Sequence, residues 1–413
     1  MQFNQNWRCR FCKAPLRTTF VDLGMSPLCQ THIKPEQLNE RETFYPLHVY
    51  ICEECLLVQL QEFVTPDVLF NEYAYFSSYS TSWVGHARQY SEMAISRFGL
   101  GANSKVIEIA SNDGYLLQHF VARGIPVLGI EPAANVAAAA VKKGVPTSVR
   151  FFGRAAADEI AREFGLADLL LGNNVLAHVP DLNDFVAGMK RLLAADGVIT
   201  MEFPHLERLM ADNQFDTIYH EHFSYFSFVV VEKIFASHEL TIFDVEELPT
   251  HGGSLRVYAR HGENAALPVG GRVHALRQRE IDAQFLKVDR YRGFGERVSA
   301  TKRQLLSFLI GAKERGKKIV GYGAPGKGNT LLNYCGIRTD FLDFTVDANT
   351  YKQGKYTPGT RIPILPPEQI RQARPDYVLI LPWNLREEIA HAASYIGEWG
   401  GRFVVPIPEV RVI

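Results

Sequence analysis

Five of the six cysteines lie in the first 55 residues, and four of them form two closely spaced pairs. Cys9 and Cys12 make one C-x2-C pair, and Cys52 and Cys55 make the other. Each pair can present two thiolates from a tight turn, so together they supply the four sulfurs of a tetrahedral, structural zinc site. The 39 residues from 13 to 51 exceed the usual spacing of about 15–20, which predicts an inserted hairpin or loop. The alternative is two unrelated pairs of buried cysteines.

A second segment, residues 218–226, is dense in acid–base groups and has the sequence Ile-Tyr-His-Glu-His-Phe-Ser-Tyr-Phe. His222 can remove a proton near neutral pH, with Tyr219 or Glu221 orienting it or helping to stabilise charge. His178 follows a predicted strand and is expected at the same crevice. The histidines and the glutamate of this segment can equally form a structural network. A zinc site is a third alternative, although the H-E-x-x-H spacing is absent.

Alternating strands and helices from about residue 105 predict a doubly wound α/β fold that would position these groups. The first turn is Glu108-x-Ala110-x-x-x-Gly114, and Glu131 ends the second strand. This geometry suits S-adenosylmethionine or another nucleotide, because the acid can accept hydrogen bonds from both ribose hydroxyls. An alanine at position 110 requires a negative φ there. The strands are predicted at residues 106–110, 126–130, 168–172 and 197–203.

A second strand, glycine-rich turn and helix start occur near the other end of the chain. Residues 321–326 match the pattern Gly-x-Gly-x-x-Gly, and Asp347 follows 21 residues later. The pattern is typical of dinucleotide sites. Any nucleoside diphosphate would suit it equally, since backbone N–H groups and Lys327 would face the anion. A long helical stretch from about 275 to 315 is predicted to connect the two folds.

Two further segments have the composition of a pocket lining. Residues 71–80 are rich in tyrosine and serine, and they can line a sugar or cofactor pocket or pack between domains. Residues 251–256, His-Gly-Gly-Ser-Leu-Arg, form a loop entering a strand. Its glycine pair allows close backbone approach, and Arg256 could meet a phosphate. A plain turn is the alternative.

The composition excludes several classes of function. With 44 Lys plus Arg against 45 Asp plus Glu, no chain-wide positive field exists to hold nucleic acid. The 46% hydrophobic and 22% charged content is that of a soluble globular protein. No apolar run approaches the roughly 20 residues that cross a bilayer, and the N-terminus lacks secretory features. We therefore expect a cytoplasmic protein with no nucleic-acid or membrane partner, and the balanced charge permits a monomer.

In combination, these motifs resemble the three-domain nucleotide-sugar C-methyltransferases, such as the C-3'-methyltransferases of TDP-4-keto-deoxysugar pathways. The match runs from the C-x2-C pairs through Tyr-x-Tyr-x-Ser-Ser, Glu-Ile-x-Ser-Asn-Asp-Gly, Asn-Asn-Val-Leu-Ala-His and Tyr-His-Glu-His to Lys-Gly-Asn-Thr-Leu-Leu-Asn. The resemblance implies an α/β protein with an N-terminal zinc-binding module at residues 1–70. A central Rossmann-like class I methyltransferase domain would span 71–274, and a linking helix with a C-terminal Rossmann-like α/β domain would span 275–413.

The resemblance also implies the cofactors, which are S-adenosylmethionine and a structural Zn2+ held by the four paired cysteines. The residues implied around S-adenosylmethionine are Tyr75, Ser78, Ala110, Ser111, Asn112, Glu131 and Asn174. Those implied around the reacting sugar are Tyr73, His178, Tyr219, Glu221 and the base, His222. Those implied to hold the nucleotide sugar are Tyr225, His251, Ser254, Arg256, Gly323, Lys327, Asn329 and Asp347. Ala110 departs from a commoner glycine, and Pro325-Gly326 departs from a commoner Ala-Ala.

The implied reaction is methylation of the carbon next to the ketone, C-3', of a nucleoside-diphosphate 4-keto-6-deoxysugar. His222 would abstract the α proton, and the resulting enolate would take the methyl group. Three alternatives stay open: an O- or N-methyltransferase acting on another small molecule, a non-catalytic sugar-nucleotide binding protein, and an NAD-dependent oxidoreductase using the turn at 321–326. The nucleotide base and the hexose stereochemistry are not given by the sequence.

Overall fold

The computed structural model describes residues 7–65 and 76–413. By its contacts the chain divides into two units, each built from three stretches of sequence. The first unit comprises Met1–Arg17, Cys52–His205 and Phe223–Val288, and the second comprises Thr18–Ile51, Leu206–His222 and Asp289–Ile413. The three-domain division after residues 70 and 274 stays a prediction.

The secondary structure alternates between short strands and helices over most of the described chain. The strands are β1 (Thr18–Ser26), β2 (Tyr45–Ile51), β3 (Val58–Leu60), β4 (Val106–Ile109), β5 (Val127–Ile130), β6 (Thr147–Ser148), β7 (Ala167–Asn173), β8 (Leu193–Pro204), β9 (Ser224–Tyr225), β10 (Leu240–Leu248), β11 (Ser254–His261), β12 (Ile319–Tyr322), β13 (Thr345–Val346), β14 (Ile364–Leu365), β15 (Tyr377–Ile380), β16 (Arg402–Val405) and β17 (Arg411–Val412). The helices are α1 (Thr81–Phe98), α2 (Leu117–Val121), α3 (Ala134–Lys142), α4 (Arg154–Glu163), α5 (Leu182–Leu192), α6 (Leu206–Ala211), α7 (Phe228–Ala236), α8 (Gly271–Asp282), α9 (Phe294–Glu314), α10 (Gly326–Cys335), α11 (Gln369–Ala373) and α12 (Arg386–Ala392). Among the described residues, no helix is both long and apolar enough to span a membrane.

The first unit is built on a seven-stranded sheet with the order β10-β11-β8-β7-β4-β5-β6. Strands β8, β7, β4, β5 and β6 are parallel, and β11 enters antiparallel between β8 and β10. All four residues of β4 are buried, as expected of an apolar run in a parallel sheet covered on both faces. This is the predicted Rossmann-like methyltransferase fold. A short antiparallel pair, β3 with β9, lies in the same unit.

The second unit contains a six-stranded sheet with the order β14-β13-β12-β15-β16-β17. All its pairs are parallel except the last, in which β17 runs antiparallel to β16. Helix α10 follows β12 directly after the glycine-rich turn, so the predicted second Rossmann-like fold is present. Strands β1 and β2 pair antiparallel in this unit. The chain between the two C-x2-C pairs is therefore a hairpin, as the long spacing predicted.

The predicted helical stretch from 275 to 315 is interrupted. Helix α8 ends at Asp282, a 3-10 turn spans Val288–Arg290, and α9 begins at Phe294. Gln284 has φ +65° and Gly293 has φ +83°. A left-handed residue on each side of the 3-10 turn breaks a continuous right-handed helix. Helical periodicity persists across such a break, which is why the sequence did not reveal it.

Candidate functional site

The two C-x2-C pairs form matching turns within the first unit. Lys13 N–H donates to the Cys9 carbonyl at 3.0 Å, and Leu56 N–H donates to the Cys52 carbonyl at 2.9 Å. Lys13 and Leu56 have φ values of +63° and +66°. Each turn therefore closes in the same way and directs both of its sulfurs to one side.

The four cysteine sulfurs lie within 4.8 Å of one another. Cys9 Sγ is 3.5 Å from Cys55 Sγ, and Cys12 Sγ is 3.5 Å from Cys52 Sγ. Zinc–sulfur bonds of about 2.3 Å in a tetrahedron imply sulfur separations of about 3.8 Å. The four sulfurs therefore fit a structural zinc ion, as the sequence predicted.

The turn after β4 differs from expectation at Ala110. Its φ is +57°, so the prediction that an alanine keeps φ negative there was wrong. The turn is held in this conformation by two hydrogen bonds to the end of the neighbouring strand, β5. Ser111 N–H donates to the Ile130 carbonyl at 3.1 Å, and Asn112 N–H donates to Glu131 Oε2 at 3.0 Å. The left-handed backbone is thus kept with an alanine, at a conformational cost of about 1–2 kcal/mol.

We expect Ala110→Gly to raise the urea midpoint of unfolding. Glycine removes the left-handed strain of about 1–2 kcal/mol, which exceeds its own entropic cost of about 0.5–1 kcal/mol. The control is Ala137→Gly, because Ala137 lies inside helix α3 and is buried. That change should lower the midpoint, since glycine in a helix costs about 1 kcal/mol. A similar decrease in both variants would contradict the strain at Ala110.

Several polar atoms around this turn are buried without a hydrogen-bond partner in the described chain. They are Ser111 Oγ, Asp113 Oδ1, Asn174 Oδ1 and both carboxylate oxygens of Glu108. Buried polar atoms are normally paired, so this set fits a polar, cationic ligand such as S-adenosylmethionine. Burial raises the pKa of Glu108 well above its usual range, and Glu131 and Asp113 add to the effect. A ligand ammonium would favour the ionised carboxylate again.

Glu131, the predicted ribose acceptor, also organises the backbone. Its Oε2 accepts from Asn112 N–H, and its Oε1 accepts from Ala133 N–H at 2.9 Å. Burial raises its pKa, although these two hydrogen bonds oppose the shift. Each carboxylate oxygen keeps a second lone pair, so acceptance from ribose hydroxyls is compatible with both contacts.

Other predicted residues of the first unit lie around the same sheet edge. Asn174, with φ +54°, places Nδ2 3.0 Å from His251 Nε2. The His251 ring meets Trp83 edge to face at 5.0 Å. Asn112 Oδ1 accepts from Ser77 N–H at 2.8 Å, and Ser78 Oγ accepts from Lys143 Nζ. The sequence did not identify Trp83, because a tryptophan in a helix has no spacing signature of a ligand site.

A buried polar network centred on Glu202 was also missed. Glu202 Oε2 accepts from His86 Nε2 at 2.9 Å and from Arg256 Nη2 at 2.7 Å, and its Oε1 accepts from Thr250 Oγ1 at 2.9 Å. Burial tends to raise the pKa of Glu202, but the hydrogen bond from His86 and the charge of Arg256 lower it overall. Arg256 is only 5% exposed and pairs with two carboxylates, Glu202 and Glu246. The structure thus gives its guanidinium partners other than a phosphate.

The Tyr-His-Glu-His segment belongs to the second unit and alternates in exposure. Tyr219 and His222 are partly exposed, whereas His220 and Glu221 are buried. His220 packs edge to face against Tyr45 at 5.8 Å, and its Nε2 lies 3.3 Å from the Pro46 carbonyl. Glu221 Oε1 accepts from the Cys29 thiol at 3.6 Å. His220 and Glu221 therefore each make a buried contact of their own, and the structural network stays an alternative for this segment.

His222 is held in one tautomer. Its Nδ1 lies 2.8 Å from the Thr217 carbonyl. A carbonyl only accepts, so Nδ1 carries the proton and Nε2 keeps its lone pair in the neutral ring. The Tyr219 ring lies 4.0 Å from the His222 ring. In this tautomer the basic lone pair is on Nε2, and His222 is a partly exposed residue.

Helix α10 begins beside a buried group of polar residues that the sequence did not bring together. Lys327 Nζ donates to Asn384 Oδ1 at 2.8 Å and lies 4.6 Å from the centre of the Trp383 ring. Trp383 Nε1 donates to Asp216 Oδ2 at 2.7 Å. Burial raises the pKa of Asp216 to about 7, against the opposing charge of Lys327. Burial lowers the pKa of Lys327. Asp216 lies 167 residues from Trp383, and Lys327 lies 57 residues from Asn384, so no motif indicated this group.

The glycine-rich turn packs against the protein itself. A Cβ at Gly323 would lie 2.6 Å from Pro382 Cδ, and one at Gly326 would lie 3.0 Å from Cys29 Sγ. Asp347 Oδ2 accepts from Ala324 N–H, and Oδ1 accepts from Asn349 N–H, both at 2.8 Å. The close approach that the glycines permit is therefore made by protein atoms, and the pattern does not require a dinucleotide.

The remaining predicted residues occupy varied positions. Tyr73 and Tyr75 lie outside the described residues. His178 is in the first unit, and burial lowers its pKa to about 4, so its ring is neutral at neutral pH. Tyr225 and Ser254 are buried in β9 and β11. In the second unit, Asn329 Nδ2 donates to the Cys29 carbonyl at 2.6 Å.

Comparisons with known families cover most of the chain. A family model described as "C-methyltransferase C-terminal domain" matches residues 249–408, one described as "Methyltransferase domain" matches 84–244, and one described as "Putative zinc binding domain" matches 9–70. The C-methyltransferase NovU of Streptomyces niveus is 39% identical over 405 residues, which are 98% of this chain and 96% of that protein.

Solved structures show a more distant similarity. A SAM-dependent methyltransferase from Anabaena variabilis is 16% identical, with a TM-score of 0.36, over 43% of this chain and 86% of its own. The magnesium protoporphyrin IX methyltransferase of Synechocystis, solved with bound SAH, is 15% identical, with a TM-score of 0.34, over 43% of this chain and 84% of its own.

Proposed function

Since the chain belongs to the family of S-adenosylmethionine-dependent C-methyltransferases, we propose that it methylates a nucleoside-diphosphate 4-keto-6-deoxysugar at C-3', the carbon next to the ketone. The observation that carries this proposal is the 2.8 Å contact of His222 Nδ1 with the Thr217 carbonyl, which fixes the neutral tautomer whose lone pair is on Nε2. The three-domain division after residues 70 and 274 and a cytoplasmic location are part of the same proposal.

Transfer of a methyl group to carbon requires a base in this proposal. A carbon next to a ketone is acidic because its anion delocalises into an enolate. His222 Nε2 takes the α proton, and the imidazolium that forms keeps its Nδ1–H on the Thr217 carbonyl. Base catalysis of this kind contributes roughly 10²–10⁴-fold. The same base could deprotonate an acceptor hydroxyl, so proton exchange at the carbon next to the ketone is the property that distinguishes the classes.

Neutral donors would stabilise the enolate oxygen. His178, with its pKa lowered to about 4 by burial, stays uncharged and can donate one N–H. Tyr219, whose ring lies 4.0 Å from that of His222, and Tyr73 are the other candidates. When bound, S-adenosylmethionine would supply an electrophilic methyl group, and S-adenosylhomocysteine would leave as the S–CH3 bond breaks and the C–CH3 bond forms. Glu131, Asn174 and the turn at 110–112 would hold this cofactor.

The nucleotide part of the substrate is assigned to the second unit. Lys327 supplies a cation at the start of α10, where helix N–H groups also favour an anion. Asn329 and Asp347 lie on the same helix and on the neighbouring strand end. The glycines of the turn pack on Pro382 and Cys29, so the Gly-x-Gly-x-x-Gly pattern is not itself an argument for NAD.

The test is mass spectrometry of reactions with S-adenosylmethionine and a panel of TDP- and GDP-4-keto-6-deoxyhexoses in deuterated water. We expect one sugar to gain one methyl group. We also expect solvent deuterium to enter that sugar without S-adenosylmethionine, since proton abstraction precedes transfer. The matched 4-hydroxy sugars serve as controls, and they should gain neither a methyl group nor solvent deuterium.

Other outcomes would redirect the assignment. Methylation of a 4-hydroxy sugar but not of its 4-keto counterpart would establish an O-methyltransferase. Binding of nucleotide sugars with no S-adenosylhomocysteine and no deuterium uptake would indicate a non-catalytic binding protein. A change in nicotinamide absorbance with a sugar substrate would indicate an oxidoreductase.

A further inference from the structure

The segment that carries His222 is anchored on helix α10. Residues Leu206–His222 group with the C-terminal stretch of the chain and not with the sheet of the first unit. Thr330 Oγ1 donates to the Ile218 carbonyl at 2.9 Å, and the Tyr334 ring meets the Phe215 ring at 5.4 Å. Lys327, which is on α10, lies near Asp216 of the anchored segment. Lys327, Thr330 and Tyr334 are spaced i, i+3 and i+7, so one face of α10 makes all of these contacts.

These contacts converge on the carbonyl that orients the base. Thr217, which receives His222 Nδ1–H, lies between two anchored residues. Its predecessor, Asp216, is fixed by Trp383 Nε1 at 2.7 Å, and the carbonyl of its successor, Ile218, is fixed by Thr330. Thr330 and Asp216 are both buried, at 2% and 0% exposure. Solvent therefore does not compete for either contact.

We propose that Thr330, acting with Trp383 through Asp216, is a positioning residue that fixes the Thr217 carbonyl and thereby the tautomer and direction of the His222 ring. This inference rests on the proposed role of His222 as the base. Thr330 itself touches no reacting atom. The consequence is that the helix that begins at the nucleotide-type turn also sets the geometry of the base.

The test compares three threonine variants. Thr330→Val removes the hydroxyl at nearly constant volume, and Thr330→Ser keeps it. Thr360→Val is the matched control, because Thr360 is a buried threonine of the same unit whose hydroxyl pairs with Thr357 Oγ1 at 2.7 Å, outside residues 206–222.

Thr330→Val should lower kcat for methylation about 10- to 100-fold, since a lost orienting contact or a small misplacement of a base has effects of this size. KM for the keto-sugar should stay within about twofold. Thr330→Ser should keep kcat within about threefold of that of the unaltered protein. Thr360→Val should keep kcat within about twofold.

A readout independent of turnover separates this inference from the proposed function. Selective 15N labelling of histidine reports which ring nitrogen of His222 carries the proton, with the signal assigned by its loss in His222→Asn. We expect one tautomer, protonated at Nδ1, in the unaltered protein and in Thr330→Ser, and a mixture in Thr330→Val. This measurement decides the positioning role even if no keto-sugar is methylated.

Two results would overturn the inference. One is a Thr330→Val protein whose kcat lies within about twofold of Thr360→Val. The other is an unchanged Nδ1 tautomer in Thr330→Val. If Thr330→Val does not fold, Trp383→Phe replaces it, since it removes the N–H that fixes Asp216 and keeps an aromatic ring. The same tautomer mixture is then expected, and a single Nδ1 tautomer would equally overturn the proposal.

Discussion

His222→Asn lowers methyl transfer by about 10²–10⁴-fold, the usual contribution of a general base. The amide N–H of asparagine can still donate to the Thr217 carbonyl in place of Nδ1–H. What the variant lacks is a nitrogen that can take a proton. Binding of S-adenosylmethionine, assigned to the first unit, should be unchanged. The measurements are initial rates of S-adenosylhomocysteine formation and equilibrium binding of the cofactor.

The neighbouring histidine provides the control for this prediction. His220 is buried against Tyr45 and the Pro46 carbonyl, so His220→Asn should lower thermal stability. The rate of methyl transfer per folded molecule of His220→Asn should stay within about tenfold of that of the unaltered protein. Deuterium uptake by the keto-sugar should vanish in His222→Asn and persist in His220→Asn. Equal loss of uptake in both variants would show that the segment is required for structure and would remove His222 as the base.

The elements around the candidate site were predictable because their signals are local. A strand buried in a parallel sheet is a continuous apolar run, and the runs at 106–110 and 168–172 became the adjacent strands β4 and β7. The two C-x2-C pairs likewise needed only short turns. The hairpin between the two pairs was predictable because 39 residues separate them, which is more than a short connection needs.

The remaining features depended on residues far apart in sequence. The segment Tyr-His-Glu-His does not indicate which histidine is buried, because that is decided by packing against Pro46, 174 residues away. Arg256 resembled a phosphate ligand until Glu202, 54 residues earlier, was seen to pair with it. The φ of Ala110 is set by the turn's hydrogen bonds to the next strand, which residue type alone does not encode.

The zinc site gives the prediction with the largest effect on stability, and Cys12→Ser tests it best. Cys12 is the exposed member of the cluster, so its replacement removes little packing. Structural zinc contributes about 10–16 kcal/mol in small zinc modules, and losing one thiolate should remove a few kcal/mol of this. An exposed side chain without such a role contributes less than about 0.5 kcal/mol. We expect bound zinc, measured by mass spectrometry of the metal, to fall from about one per chain to well below one.

The loss of stability should spread from the cysteine turns to neighbouring parts of the first unit. Arg10, between the first two cysteines, donates to the Pro180 carbonyl at 2.8 Å and lies 5.2 Å from the Phe223 ring. Asn183 of helix α5 donates to the Phe11 carbonyl at 2.9 Å. Without the metal the turn that carries Arg10 and Phe11 is no longer fixed, so these contacts should weaken. Backbone amide hydrogen exchange should therefore accelerate around residues 176–185.

Cys335→Ser is the matched control, because it makes the same chemical change at a buried thiol outside the cluster. Its zinc content should be unchanged. Four thiolates leave the metal no open position for a substrate. The folded fraction of the Cys12→Ser protein should therefore turn over within about tenfold of the rate of the unaltered protein. A folded variant that retained zinc but lost turnover would contradict a purely structural metal. A variant with normal stability and no zinc would show that the module folds without it.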